Sequence, residues 1–501
     1  MHTLKSSFLG LLTVLALNAT SLQADKQTPN ILIFLVDDMG LMDTTVPFLY
    51  DAQGKPQRHP LNQFYRTPSM ERLASQGIRF SQFYAMSVCS PTRASLMTGQ
   101  TSARHYVTQF IRPETKNTGE YGPENWKWRG FDPGEATLAS RLRDAGYHTI
   151  HSGKAHFGPI DSYAADPANL GFDVNIAGCA YGAPGSYYGK DDFGLATKRR
   201  KHRAVPGLEK YHGQDIHLSE ALTLELNQAI TDAVEEEKPF FAYMSHYAVH
   251  GPFQSDPRFA KNYAAEPNKN LAAYASMIEG MDKSLGDILD HLENLGVAEN
   301  TIVFFLGDNG SDAPMGPIHE VASSAPLRGK KGTHYEGGMR VPFIAAWAKP
   351  DPANPHQKRN PVASNALNTQ DIGAVYDLFP TILNLAEAPT PERNIDGIDL
   401  APLLAGETGP AEDRDFLMHF PHEHRSSYYT VYRKGEWKLI YHYRHQKKDT
   451  WDPVELYDLS KDPYETANLA ARNPRKKESM IKNMRAALKK TNAQSLRSTI
   501  D

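Results

Sequence analysis

The stretch NILIFLVDD, residues 30–38, joins a nearly continuous apolar run to two adjacent carboxylates, Asp37 and Asp38. A strand that is buried on both faces of a parallel sheet is typically apolar throughout, without alternation. We therefore predict a central strand over residues 30–36. Because ligands bind beyond the carboxyl ends of such strands, we expect Asp37 and Asp38 to border a site.

Short apolar runs alternate with amphipathic segments through most of the chain, which is typical of a parallel sheet covered by helices. At 67–77 we predict a helix with Thr67 as its cap, Pro68 in its first turn and Gly77 at its end. Further strands are predicted at 147–151, 240–245 and 301–306, and further helices at 270–296 and 376–385. The sequence thus predicts an α/β domain over residues 25–385, with a large, mostly parallel sheet sandwiched by helices.

The composition changes after residue 385. Residues 386–401 are rich in Pro, Asp and Gly and indicate a connection. Short apolar segments separated by turn residues then predict an antiparallel sheet, with strands at 416–420, 428–432, 437–441 and 455–459. Residues 476–490 carry apolar side chains at helical spacing and predict a terminal helix. We therefore predict a smaller C-terminal α+β subdomain over residues 386–501.

The composition excludes several classes of protein. The chain has 501 residues, with 54 Lys and Arg against 58 Asp and Glu and a net charge of −4. This balance argues against a nucleic-acid binder, which would be strongly basic. There are two cysteines, Cys89 and Cys179, so a disulfide scaffold and a cysteine-rich zinc site are both excluded. Hydrophobic residues make up 40%, enough for a large core.

The N-terminus predicts export. Lys5 precedes an uncharged apolar run at residues 8–17, and Ala24 could end a cleavage site, so residues 1–24 resemble a secretory signal. The apolar run is too short to span a bilayer. The alternative is an amphipathic N-terminal anchor. We expect a periplasmic or secreted protein that makes no membrane contact after cleavage.

Polar clusters also follow the other predicted strands. Asp308 and Asn309 follow residues 301–306, Lys154 and His156 follow residues 147–151, and His250 follows residues 240–245. Asp37 and Asp38 alone would more simply form a turn or a helix cap. Together with Asp308 and Asn309 they make an oxygen-rich set that suits Ca²⁺ or Mg²⁺ better than zinc.

The segment CSPTR, residues 89–93, is the most specific motif in the chain. Pro91 predicts the start of a helix, which places Cys89 at its positive N-terminal end and Arg93 one turn away. Positive charge there stabilises an anion or a developing oxyanion. The alternatives are a buried free cysteine and a disulfide with Cys179, but a disulfide would give no role to Pro91 or Arg93.

These residues resemble the sulfatase family of the alkaline-phosphatase-like superfamily. The motif Cys-x-Pro-x-Arg at residues 89–93 continues into Leu96, Thr98 and Gly99. The likeness extends over nearly all of the mature chain, and its other motifs are LRGKKG at 327–332, EGG at 336–338, RVP at 340–342 and ELYDL at 455–459.

The resemblance implies the chemistry of the site. A maturation enzyme of the family oxidises the motif cysteine, here Cys89, to formylglycine, and the hydrated aldehyde is the nucleophile. One Ca²⁺ would be bound by the residue at 89 with Asp37, Asp38, Asp308 and Asn309. Arg93 and Lys154 would hold the hydrate, His156 would help break down the sulfated intermediate, and His250 and Lys331 would contact the sulfate ester, with His250 as the general acid.

The resemblance also suggests a substrate, namely a sulfated poly- or oligosaccharide. His, Tyr and Arg side chains can bind sugar hydroxyls and further anionic groups. The candidate substrate-binding residues are His105, His212, His217, His334, His422 and Arg425. The basic run at residues 198–203 is either a solvated loop or an attractor of a polyanionic substrate.

Three other functions stay open from the sequence. Two are enzymatic on the same scaffold: an arylsulfatase, and a hydrolase of phosphodiesters or phosphonate monoesters. The third is a non-catalytic sugar-binding protein in which Cys89 remains unmodified.

Overall fold

The computed structural model describes residues 28–116, 119–409, 414–444 and 453–497. The predicted signal segment, residues 1–24, lies outside the described residues. Among the residues that are described, no helix has both the length and the apolar character needed to cross a membrane.

The secondary structure alternates as the sequence predicts. The strands are β1 (Asn30–Val36), β2 (Leu49–Tyr50), β3 (Pro56–Gln57), β4 (Ile78–Phe80), β5 (Phe83–Tyr84), β6 (His148–Gly153), β7 (Val174–Ile176), β8 (Phe240–Ser245), β9 (Thr301–Gly307), β10 (Phe343–Trp347), β11 (Ala366–Asn368), β12 (Gly373–Ala374), β13 (Asp415–Glu423), β14 (Ser427–Lys434), β15 (Trp437–His442) and β16 (Val454–Asp458). The helices are α1 (Pro60–Phe64), α2 (Pro68–Gln76), α3 (Cys89–Thr98), α4 (Ser102–His105), α5 (Leu138–Asp144), α6 (Leu218–Glu235), α7 (Lys269–Asn294), α8 (Glu336–Met339), α9 (Pro355–Arg359), α10 (Leu378–Leu385), α11 (Ala401–Leu404) and α12 (Pro474–Lys490).

The main sheet has eight strands in the order β11-β4-β10-β9-β1-β8-β6-β7. β1 lies in the middle, parallel to β8 and β9, and every one of its residues is buried. β10 is the exception, since it runs antiparallel to both β9 and β4. The prediction of a large, mostly parallel sheet is confirmed.

The strand register brings four chain segments to one edge of this sheet. Val36 of β1 pairs with Gly307 of β9, and Gly153 of β6 pairs with Ser245 of β8. Because these strands are parallel, the residues that follow each of them leave the sheet on the same side. This edge therefore collects the polar clusters found in the sequence.

Helix α2 has the predicted bounds, but its caps differ from the prediction. The Thr67 side chain makes no cap and instead bonds to the hydroxyls of Thr44 and Thr45. The first N–H groups of the helix are taken by the Asp282 carboxylate of α7. Gly77 is not left-handed, with φ at −140°. It is needed because a Cβ there would lie 2.1 Å from the carbonyl oxygen of Ala345.

Helix α3 begins two residues earlier than Pro91 predicted. Val88 is its N-cap and Cys89 its first residue, so Pro91 lies inside the first turn. A proline is tolerated there because the first N–H groups of a helix have no partner within the helix. All ten residues from Cys89 to Thr98 are buried, which fixes the helix against the core.

The C-terminal sheet is antiparallel, in the order β13-β14-β15-β16, as predicted. One set of its side chains, including Phe416 and Tyr429, joins the core of the large sheet. The other set packs under α12 against Met480 and Met484. The division at residue 386 remains a prediction.

Candidate active site

Four oxygen-bearing side chains meet at the edge of the large sheet. Asp37 and Asp38 directly follow β1, and Asp308 and Asn309 directly follow β9; all four are buried. The backbone N–H of Asp38 donates to Asp308 Oδ1 at 3.0 Å, and Asn309 Nδ2 donates to Asp38 Oδ1 at 3.0 Å. Carboxylate oxygens of the three aspartates lie within 4.8 Å of one another.

This cluster contains oxygen atoms that no group of the described protein satisfies. Oδ1 of Asp37, Oδ2 of Asp38 and Oδ1 of Asn309 are buried without a hydrogen-bond partner. Buried polar atoms are nearly always paired. A set of unpaired carboxylate and amide oxygens suits a hard cation such as Ca²⁺. The residues present therefore fit the divalent ion that the resemblance to the sulfatases implies.

Cations balance two of these carboxylates, Asp37 and Asp308, from one side. Lys154 Nζ lies 2.6 Å from Asp37 Oδ2, and an Arg93 nitrogen lies 2.8 Å from Asp308 Oδ2. Arg93 also donates to the Lys154 carbonyl oxygen at 2.8 Å and to Ser245 Oγ at 2.5 Å. Burial alone would lower the pKa of Arg93, but the carboxylates of Asp308 and Asp37 raise it above its usual value. Burial raises the pKa of Asp37 well above its usual range, even with Lys154 beside it.

Cys89 lies in the first turn of α3, with its Sγ 3.3 Å from Nδ1 of His156. His156 Nε2 lies 2.5 Å from the carbonyl oxygen of Ile111, so Nε2 carries the proton and Nδ1 faces residue 89 as an acceptor. Burial raises the pKa of the Cys89 thiol and lowers that of His156 well below its usual value. An unmodified Cys89 would thus be a neutral thiol and a poor nucleophile.

His250 and Lys331 face the same centre from the other side. Lys331 Nζ lies 2.5 Å from Asp38 Oδ1, and His250 Nε2 lies 3.7 Å from Asp38 Oδ2. His250 Nδ1 lies 2.8 Å from the Gly251 carbonyl oxygen, which leaves Nε2 directed at the site. Burial and the charge of Lys331 lower the pKa of His250 to about 4. Asp38 is held ionised, because Lys331, His250 and Lys154 lower its pKa against the effect of burial.

A cavity of about 500 Å³ opens above these groups. Cys89, His156, His250 and Lys331 line its inner part. Farther out its walls carry Arg112, Arg203, His424 and Arg425, with Asp312 and Glu114 as the acidic members. Arg425 is held in place by Asp312, which accepts from both guanidinium nitrogens at 2.5 and 2.9 Å. The excess of cationic side chains suits an anionic ligand.

Of the six predicted substrate-binding residues, Arg425 is the one found in the described lining of this cavity. The lining does not include the five predicted histidines His105, His212, His217, His334 and His422. A role of these five residues in substrate binding therefore remains a prediction.

Burial and local partners explain the positions of these histidines. His105 is bonded to Ser95 Oγ at 2.9 Å inside the core, and His422 to Thr108 Oγ1 at 2.7 Å. His217 is the N-cap residue of α6. His212 and His334 lie against the rings of Phe193 and Tyr335.

Two arginines of the lining, Arg112 and Arg203, are absent from the predicted substrate-binding residues. Arg203 belongs to the basic run at 198–203. One of the two predictions for this run, that it attracts a polyanionic substrate, already pointed to Arg203. Arg112 belongs to no motif, and only the fold brings it to the cavity.

Comparisons with known proteins show the family of this chain. A family model described as Sulfatase matches residues 29–388, and one described as N-sulphoglucosamine sulphohydrolase, C-terminal, matches residues 330–494. A relative named "Sulfatase" from Formosa agariphila is 28% identical, over 93% of this chain and 90% of that protein. The N-acetylgalactosamine-6-sulfatase of Canis lupus familiaris is 30% identical, over 82% of this chain and 72% of that protein.

Solved structures show the same fold. The structure of Ps i-CgsB matches with a TM-score of 0.70 at 24% identity, over 92% of this chain and 93% of that one. It is also known in complex with k-i-k-neocarrahexaose. The phosphonate monoester hydrolase of Agrobacterium radiobacter matches with a TM-score of 0.59 at 19% identity, over 92% of this chain and 96% of that one. With a family match that spans most of its length, this chain belongs to the sulfatase family, has the alkaline-phosphatase-like fold and is a sulfuric ester hydrolase.

Proposed function

We propose that the protein removes sulfate from a sulfated carbohydrate, with formylglycine formed from Cys89 as the nucleophile and one Ca²⁺ in the site. The observation that carries this proposal is the position of residue 89. Its side chain lies at the N-terminus of α3, beside His156 and at the inner end of a cationic cavity. A neutral thiol would serve poorly in that position, whereas an aldehyde hydrate would not need a lowered pKa of the thiol.

Residues described above would bind the Ca²⁺ ion, and residue 89 would carry the formylglycine hydrate. Asp37, Asp38, Asp308 and Asn309, with the side chain at 89, would hold Ca²⁺, which supplies positive charge to the oxygens of a bound sulfate group. The formylglycine hydrate supplies one hydroxyl for attack and a second that allows the aldehyde to form again.

The protein side chains orient the reacting groups, add positive charge beside them and accept a proton. Arg93 and Lys154 fix Asp308 and Asp37 through bonds of 2.8 and 2.6 Å and add positive charge near residue 89. His156 Nδ1 faces that side chain at 3.3 Å and can accept its proton, since Nε2 is committed to the Ile111 carbonyl.

His250 would act as the general acid toward the leaving oxygen. Its Nδ1 is committed to the Gly251 carbonyl, so the proton to be donated must be carried on Nε2. Because the pKa of His250 is lowered to about 4, an anionic sulfate ester beside it would be needed to favour the protonated ring. Lys331, fully charged at Asp38, would contact the ester oxygens.

A carbohydrate substrate is supported by the relatives and by the cavity. The N-acetylgalactosamine-6-sulfatases are named for a sulfated sugar. Arg112, Arg203 and Arg425 line an open cavity large enough for a sugar residue. Arginine is well suited to bind further sulfate or carboxylate groups on the same chain.

The proposal extends to processing. A maturation enzyme would act on Cys89, residues 1–24 would direct export to the periplasm or the medium, and residues 25–385 would form the catalytic domain. Mass spectrometry of the mature N-terminus would check the cleavage site.

The nucleophile can be tested directly. The chain is produced together with a formylglycine-generating enzyme, and the peptide that contains residue 89 is analysed by mass spectrometry. We expect the aldehyde at 89 and turnover of sulfated oligosaccharides. A persistent thiol in fully active protein would overturn the proposal.

A Cys89→Ala variant should lose turnover by more than about 10³-fold, because it removes the nucleophile. Its far-UV circular dichroism should be unchanged, since alanine suits the first turn of α3. Matched sulfate and phosphate esters of one alcohol separate the enzymatic alternatives: preferred turnover of the phosphate would favour a phosphoester hydrolase on this scaffold.

A further inference from the structure

A second cluster of metal-binding side chains lies outside the active-site cavity. It comprises His334, His442 and Glu455, whose ligand atoms all lie within 4.8 Å of one another. Glu455 Oε1 lies 2.8 Å from His442 Nε2 and 3.6 Å from His334 Nε2. None of the three lines the active-site cavity.

The C-terminal sheet brings two of these residues together. β15 and β16 are antiparallel and Ile440 pairs with Glu455. His442 is two residues after Ile440 on the same strand, so its side chain points to the same face as that of Glu455. His334 reaches this face from the turn that precedes α8.

The two ring nitrogens of His334 are not accounted for by hydrogen bonds. It is 5% exposed, and neither of its ring nitrogens has a hydrogen-bond partner in the described part of the protein. A buried imidazole normally pairs at least one nitrogen. Here Nε2 is directed at Glu455 at a distance longer than a hydrogen bond, as expected for two ligands of a common ion.

The surroundings hold the carboxylate in place. The hydroxyl groups of Tyr457 and Tyr335 donate to Glu455 Oε2, at 2.5 and 3.1 Å. Outer hydrogen bonds of this kind orient the ligands of metal sites. The ring of Tyr335 also packs on that of His334, with centroids 4.2 Å apart.

We propose that His334, His442 and Glu455 form a second metal site, which takes a divalent transition ion such as Zn²⁺. Two imidazoles and one carboxylate are a typical zinc set, and they differ from the all-oxygen cluster at Asp37, Asp38 and Asp308. The fourth position would be filled by water, since His442 is partly exposed.

The site would connect two parts of the fold. His334 is three residues after Lys331, which contacts Asp38 in the active site, whereas His442 and Glu455 belong to the C-terminal sheet. An ion bound to all three would therefore tie the turn that carries Lys331 to that sheet. We expect its effect on stability to be larger than its effect on the chemical step.

Zinc binding to the full chain tests the site without reference to activity. The purified protein is freed of metal and returned to millimolar Ca²⁺, which keeps the carboxylate cluster occupied. Zn²⁺ is then titrated calorimetrically, and Co²⁺ serves as a probe by visible absorption. We expect one equivalent of Zn²⁺ to bind, tetrahedral Co²⁺ bands to appear, and the midpoint of thermal unfolding to rise.

Four variants separate this site from the active site. His334→Ala and His442→Ala should weaken Zn²⁺ binding by at least about 100-fold, whereas His442→Cys, which keeps a zinc ligand, should retain it. Asp308→Asn, which alters only the carboxylate cluster, should bind Zn²⁺ as the parent does. Circular dichroism without zinc checks that each variant folds. The inference is overturned if the parent binds no Zn²⁺, or if His334→Ala binds it as well as the parent.

Discussion

Asp308 shows how much a single carboxylate does at the sheet edge. One of its oxygens accepts the backbone N–H of Asp38, and the other pairs with Arg93. The same side chain thus holds the turn after β1 and fixes the charge next to residue 89. Its isosteric amide would keep the shape and remove the charge.

Asp308→Asn should lower Ca²⁺ affinity by at least about tenfold and turnover by at least about 10²-fold, because one hard anionic ligand is lost. Calcium titration calorimetry and turnover of a sulfated oligosaccharide are the measurements. Asp312→Asn is the matched control, since Asp312 pairs with Arg425 and should leave Ca²⁺ affinity unchanged. Full activity of the parent after removal of Ca²⁺ by a chelator would contradict the metal assignment.

Substitution of Arg203 tests whether the outer part of the cavity binds an anionic group of the substrate in addition to the sulfate ester that is cleaved. Arg203→Ala should raise KM about tenfold for a multiply sulfated oligosaccharide and leave KM for a monosulfated one nearly unchanged, because a charge-assisted contact is lost only with the former. Lys201→Ala, in the same basic run but outside the described cavity lining, is the control. Equal effects of the two variants would show that the run acts only through its general charge.

At the scale of elements, a buried ion network joins the C-terminal sheet to the large domain. Lys438 of β15 lies 2.9 Å from a Glu336 oxygen at the start of α8 and 2.7 Å from Glu465. All three side chains are buried, and burial raises the pKa of Glu465 to about 7, against the opposing charge of Lys438. The network makes the position of α8 depend on the sheet.

Lys438→Met should lower the free energy of unfolding by about 3–5 kcal/mol at pH 8, because it leaves the buried Glu465 carboxylate without a cation and Glu336 paired with Arg340 alone. The loss should be smaller at pH 6, where Glu465 can take up a proton. Urea unfolding at the two pH values measures both effects. Lys434→Met, at a partly exposed pair with Asp415, should cost less than about 1 kcal/mol. A Lys438→Met protein as stable as the parent would contradict the role of the network.

At the scale of the whole molecule, the folded chain buries several histidines in the neutral form. Burial lowers their pKa to about 3 for His105, His151, His246 and His422, and to about 4 for His217 and His419. In the unfolded chain the same rings take up protons below about pH 6.5. The unfolded state therefore binds more protons than the folded state between about pH 6.5 and 4, and stability falls as the pH falls through this range.

Each of these histidines should contribute a slope of up to about 1.4 kcal/mol per pH unit to the free energy of unfolding. His422→Gln should make the decline between pH 6 and 4.5 shallower by about that amount, whatever its effect at pH 8. His202→Gln, at an exposed position, is the control. Chemical unfolding at several pH values gives the slopes, and an unchanged slope in His422→Gln would contradict the prediction.

Short patterns in the sequence were enough to predict most of the architecture. The apolar run before Asp37 was enough to predict a central strand, because a strand covered on both faces is typically a near-continuous apolar run. The carboxylates after β1 and β9 could be predicted to lie together because parallel strands end at one edge, whereas residues 89–93 were singled out by their motif. The N-terminal cap of α2 was predicted less well, since Asp282 and Thr44, which bond to that end of the helix and to Thr67, are distant in the sequence.

The sequence by itself determined the reaction class, because that chemistry resides in short motifs whose residues are close together along the chain. Only the tertiary structure decided which histidines and arginines face the cavity. A histidine is as suitable for a core hydrogen bond, as at His105, as for a ligand site, and neighbouring residues do not distinguish the two. Burial and direction come from packing between segments a hundred or more residues apart, which brought Arg203 to the cavity and His334 to Glu455.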